Sequence, residues 1–119
     1  MMDVQKGQEF IESEKLAWND VGPGVRRKIT AYDDSLMTVF VEFQKGAVGY
    51  LHKHPHRQIS FIESGKFEVH IGEKVQLLAK GDFYYVPPNV EHGVTTIEAG
   101  VLVDIFTPAR EDFLQQEKK

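Results

Sequence analysis

Beyond Val25 the chain alternates apolar and polar residues over short stretches. Val25, Ile29 and Ala31 share one parity with Arg27 among them, and Val39, Val41 and Phe43 repeat the period, as do Phe67, Val69 and Ile71. A period of two belongs to strands that bury one face. Turn-forming triplets separate the stretches, DDS at 33–35, SGK at 64–66 and GEK at 72–74, so the pattern predicts successive hairpins. FYYV at 83–86 and VLVDIF at 101–106 continue it, punctuated by Gly81, by Pro87, Pro88 and Asn89, and by Gly100. Many short strands with little helical periodicity predict an all-β sandwich or barrel.

Two regions depart from the alternation. Residues 1–24 read as an N-terminal extension packing on the barrel, with Phe10, Ile11, Leu16 and Trp18 as anchors and GPG at 22–24 as the turn that ends it. The remainder, 25–119, reads as one domain. Near its end TPAREDFL predicts a short helix with Thr107 as N-cap and Pro108 in the first helical position, and QQEKK at 115–119 a frayed tail. Ile59 and Phe61 beside Ile62, and Val101, Val103 and Ile105 beside Leu102 and Phe106, put apolar residues on both faces, which predicts that a second subunit, in a homodimer, covers the outer one.

At 119 residues there is room for one core and one site. No apolar run approaches the roughly 20 residues of a membrane span, and a formal charge of −4 supplies no field for nucleic acid. The one basic cluster, Arg26, Arg27 and Lys28, is expected to be a solvated strand edge. A start without the order of a secretory signal, together with the lack of cysteine, makes the cytoplasm the expected location.

Chemistry enters with LHKHPHRQ at 51–58, which holds three of the five histidines. His52 and His54 lie two apart on a predicted strand and point the same way, as imidazole ligands of one ion must. Gln58 keeps their parity and can add an amide oxygen. His56 shares it too, but Pro55 interrupts the strand, so it is expected beside the site or on the surface; His70 alternates away from its apolar neighbours and is expected to be exposed.

Gly46, His52, His54, Gln58 and Gly65, followed by Gly81, Pro87, Asn89, His92 and Thr96, resemble the two motifs of the cupin superfamily. Gln58 stands where those motifs carry Glu, Asn89 where they carry a second glycine, and Thr96 where they end in Asn. The resemblance implies a cupin-type double-stranded β-helix, or jelly-roll barrel, and one divalent metal ion held by His52, His54, Gln58 and His92. Nickel, zinc, iron, manganese and cobalt all suit such ligands. An all-neutral ligand set leaves the ion its full charge and favours an anionic substrate.

In VDIFTPAREDF, Asp104 and Phe106 project to one strand face while Val103 and Ile105 project to the other. Arg110 falls in the first turn of the predicted helix, well placed to grip a carboxylate. AYDDSLM, HPHRQISF with SGKFE, YVPPNVEHG and DIFTPAREDF are together similar to the KdgF-type pectin and alginate degradation proteins, which convert 4,5-unsaturated monouronates to linear keto forms. That resemblance implies Asp104, Phe106 and Arg110 as the catalytic set, with Phe106 and Arg110 also contacting substrate, and a metal-dependent isomerase as the activity. The same ligands would also serve a cupin dioxygenase or a sugar-binding cupin without catalysis.

Overall fold

The computed structural model describes residues 2–117. A 3₁₀ turn at Ser13–Lys15 precedes eight strands, β1 Asn19–Gly22, β2 Val25–Tyr32, β3 Met37–Phe43, β4 Val48–His52, β5 Arg57–Ile71, β6 Lys74–Ala79, β7 Phe83–Val86 and β8 His92–Thr107, and one helix, α1 Glu111–Glu117. Pairing between these strands is antiparallel, in the order β1-β2-β3-β8-β5-β6, with β4 added on β8 and β7 on β5.

The two longest strands explain how one ribbon makes a barrel. The first half of β5 pairs with the second half of β8, from Arg57 opposite Thr107 to Ile62 opposite Leu102; its second half pairs with the first half of β8, up to Ile71 opposite His92. Register shifts between Ile62 and Phe67 mark the corner between these halves. One half of the pair carries β3 and β7, the other β4 and β6. The result is a cupin-type jelly roll, an all-β fold with one short helix.

SGK is therefore not a hairpin turn, and Gly100 does not separate strands. Both lie inside long strands, where two backbones cross too closely for side chains. A Cβ on Gly100 would lie 2.0 Å from the Ser64 carbonyl oxygen, and one on Gly65, whose φ is +86°, would lie 2.6 Å from that of Glu98. Gly100→Ala is expected to cost about 3 kcal/mol or more of unfolding free energy by urea denaturation, since neither contact is with a flexible side chain.

Inward residues form two clusters: Phe43, Ile62, Phe67, Val69, Val94 and Leu102, and Val4, Leu16, Ile29, Met37, Val39, Phe106 and Ala109. Leu16 serves as an anchor and Ile11 packs against the second cluster, but Phe10 is 87% exposed, and Val4, unmarked by any pattern, is buried in its place. Residues 19–22 also supply β1, so β2 is not an edge. Arg27 and Lys28 are accordingly buried: Lys28 Nζ donates to the Ser13 carbonyl and lies over Trp18, while Arg27 stacks on Phe113 and bonds Gln116. Arg26 pairs with Glu42 over the same Trp18.

The helix starts later than its composition predicts. Thr107 pairs with Arg57 and is held in β8, the Thr107–Pro108 peptide is cis, and α1 begins at Glu111, leaving Arg110 just before it. Gln115 and Gln116 belong to the helix rather than to a frayed tail; residues 118 and 119 lie outside the described residues. Among the described residues no helix is long and apolar enough to cross a membrane.

Candidate metal centre and acid–base site

β4, β5 and β8 bring the predicted ligands together inside the barrel. His52 ends β4 and lies directly opposite His92 at the start of β8. His54 is on the connection to β5, and Gln58 is the second residue of β5. The ligand nitrogens of His52, His54 and His92 lie within 4.8 Å of one another, His54 and His92 buried and His52 at the open side. The motif position of Asn89 has φ +61°, the left-handed conformation that a glycine would serve and asparagine tolerates. Its N–H donates to the His54 carbonyl and so fixes the loop between the motifs.

Hydrogen bonds set the imidazole tautomers. The Nδ1–H groups of His52, His54 and His92 donate to the carbonyls of Tyr50, His56 and Val90 at 2.8, 3.0 and 2.9 Å. A carbonyl only accepts, so each Nδ1 carries a proton, and in a neutral ring Nε2 is then a bare lone pair. Burial holds His92 down to about 4, and burial followed by the charge of Arg110 lowers His54. Both are neutral near pH 7.

The Gln58 oxygen Oε1 faces these lone pairs, 3.0 Å from His54 Nε2 and 3.1 Å from His92 Nε2. Acceptors facing acceptors with no proton between them repel unless a cation joins them. The donor set thus fits a divalent ion with three imidazoles and one amide oxygen. His56 contributes through its backbone: its carbonyl orients His54, while its half-buried ring packs against His54 and Phe106. His70, expected in solvent, is half-buried and paired with Glu68 at 2.9 Å.

Asp104, Phe106 and Arg110 line the same cavity, of about 340 Å³, together with His52, Gln58, Tyr84 and His92. Phe106 is 2% exposed and sits edge-on to His54 and Phe113, so it is at once core and cavity wall. Arg110 is buried between Phe106 and Phe113 and holds Asp112 through two bonds, of 3.0 and 2.8 Å. Burial raises Asp104 to about 6, opposed in part by the Ser60 hydroxyl and the charge of Arg110. A carboxyl poised there can both take and give a proton near neutrality.

Sequence reasoning missed Ser60 and Tyr84. Ser60 is fully buried, accepts from Gln58 Nε2 at 2.9 Å and donates to Asp104 Oδ1 at 2.6 Å. Tyr84 faces the same hydroxyl, and burial raises its phenol far above the usual range, so it stays protonated. The strand register explains the group: Ser60 lies opposite Asp104 on one side and Tyr84 on the other. Ser60 shares Gln58's parity in RQISF, the one signal that could have found it.

The cupin domain family matches residues 39–106. The pectin degradation protein KdgF of Dickeya dadantii (strain 3937) is 46% identical over 107 residues, 88% of this chain and 96% of that relative. Among solved structures, an RmlC-like cupin from Shewanella frigidimarina NCIMB 400 is 39% identical with a TM-score of 0.88, covering 92% of this chain and 99% of that one. KdgF from Halomonas sp. is 37% identical with a TM-score of 0.86, covering 89% and 98%.

Proposed function

The chain belongs to the cupin family and, within it, to the KdgF group, and on that premise we propose that it is a cytoplasmic, metal-dependent isomerase that converts 4,5-unsaturated monouronates from pectin or alginate to their linear keto forms. The observation that carries the proposal is one cavity holding a convergent lone-pair cluster, a carboxyl near pKa 6 and a buried guanidinium. About 340 Å³ lies at the small end of ligand sites and suits a single sugar ring.

The substrate is a cyclic hemiacetal whose ring oxygen is joined to the C4=C5 double bond, next to a carboxylate. Opening moves the proton of the C1 hydroxyl to a base, forms the C1 aldehyde and releases the C5 oxygen as an enolate; protonation at C4 then gives the ketone. Nothing is gained or lost overall, so one group can take the first proton and return it as the second. Asp104 is that group. His52, His54, His92 and Gln58 would hold a divalent ion, which would supply positive charge where the C5 oxygen gains negative charge. Phe106 walls off water and limits how the ring can lie.

Arg110 takes the substrate carboxylate by exchanging it for Asp112, whose side chain is 52% exposed and loses little by turning to water. Arg110→Ala is expected to raise KM by about tenfold to a hundredfold, the range of a charged hydrogen bond, and to change kcat much less. Steady-state kinetics on a purified unsaturated monouronate reads both, and an unchanged KM would contradict the assignment.

A homodimer is part of the proposal. On the outer sheet face Ile59 lies opposite Tyr85 and Phe61 opposite Phe83; Ile59, Phe83 and Tyr85 are 45%, 61% and 50% exposed, with Val103 and Ile105 in the next strand. Such a row supports a second copy as its cover. Light scattering is expected to give twice the chain mass, and Phe83→Lys to return it to that of one chain.

A further inference from the structure

A primary amide presents two unlike ends, and nothing within Gln58 decides which of them faces the histidines. The decision comes from its neighbour. Asp104, when ionised, can only accept, so the single proton of Ser60 goes to Asp104 Oδ1 at 2.6 Å. The serine oxygen then has only lone pairs left, and one accepts from Gln58 Nε2 at 2.9 Å while the other faces the protonated Tyr84. The nitrogen end of the amide is thereby drawn toward Ser60, and Oε1 is turned toward His54 and His92.

We propose that Ser60 is a positioning residue that keeps Gln58 turned oxygen-first toward the histidine cluster and aligns it with Asp104. The inference rests on reading His52, His54, His92 and Gln58 as a metal site. Its force comes from the alternative that Ser60 prevents. At 3.0 and 3.1 Å from the bare Nε2 atoms of His54 and His92, a reversed amide would donate its two N–H groups to them. Both lone pairs would be occupied, and a metal would have to break two good hydrogen bonds to enter. With its proton committed to Asp104, Ser60 would set a lone pair against the oxygen of a reversed amide, and this favours the open arrangement.

A double substitution cycle isolates this role, because a carboxylate at position 58 has two like oxygens and no orientation to hold. Metal-stripped protein is titrated with Zn²⁺ alone by calorimetry in four forms: unaltered, Ser60→Ala, Gln58→Glu and the pair. Ser60→Ala is expected to weaken Zn²⁺ binding about tenfold to a hundredfold when residue 58 is Gln. In the Gln58→Glu background the loss falls below about threefold. Ser60→Val removes the hydroxyl while keeping a good strand former that cannot bind Zn²⁺, and reports the same loss if the alanine variant does not fold. An equal loss in both backgrounds, or none in either, overturns the positioning role while leaving the metal site standing. No Zn²⁺ binding by the unaltered protein overturns the metal reading and this inference with it.

Discussion

Asp104→Asn is expected to lower kcat by about a hundredfold to ten-thousandfold while leaving metal affinity within a few fold of the unaltered protein. The amide has the shape of the carboxylate and still offers an oxygen to the Ser60 hydroxyl, so the Gln58–Ser60 arrangement survives. What it lacks is the ability to take a proton from the C1 hydroxyl and return it at C4. Full turnover in this variant would remove Asp104 from the mechanism.

The same substitution carries a stability signature of definite sign. A carboxyl raised from an ordinary value of 3.8 to about 6 binds protons more tightly folded than unfolded. Stability is therefore highest below the unfolded value and falls as pH rises from about 4 through 6, by about 3 kcal/mol in all. Metal-stripped Asp104→Asn escapes that fall. Its melting temperature is expected to exceed that of the stripped unaltered protein at pH 7.5, and the gap to shrink toward pH 4. In the proposed role, a carboxyl that destabilises its own fold would be function held at a cost in stability.

The second large effect is the loss of a proposed ligand. His92→Ala is expected to weaken Zn²⁺ binding by more than about a hundredfold, beyond the range for losing an outer partner, and to reduce uronate conversion to the rate in buffer. His92 lies opposite His52, so its removal opens the pair that closes the cluster, and it leaves Gln58 facing one imidazole of the inner two. His56→Ala is the control. The carbonyl that orients His54 belongs to the backbone and is kept, so metal stoichiometry is expected to stay unchanged. Equal losses in the two variants would show that His92 is no more a ligand than His56.

The sequence carried those features whose physics is local. Strand parity alone puts His52, His54 and Gln58 on a common face, and Asp104 with Phe106 on another; the structure gathers the histidines and brings His52, Gln58, Asp104 and Phe106 to one cavity. Features that depend on what lies across the sheet were not legible. Arg27 and Lys28 read as solvated because nothing nearby in the chain says that Trp18, Ser13 and Phe113 will cover them. Ser60 looked ordinary because its importance comes from its neighbours on β7 and β8, both far away in the chain.

Glycines misled for a related reason. Gly65 and Gly100 carry the composition of turns, yet each is required by the other's strand, since a Cβ on either would strike the backbone opposite. The helix boundary shifted because Thr107, a good N-cap by type, is claimed first by its pairing with Arg57. In both cases a local preference was correct about the residue and wrong about which partner would satisfy it.

The account is tested most directly by the ultraviolet decay of a purified 4,5-unsaturated monouronate, followed in buffer, with metal-stripped protein and with protein reloaded with a divalent ion. The substrate also opens spontaneously, so the quantity that matters is the rate above buffer. Acceleration by the reloaded protein and little by the stripped one is the predicted result. Decay at the buffer rate in all three would contradict the isomerase reading and turn attention to oxygen chemistry or to simple sugar binding at the same histidines.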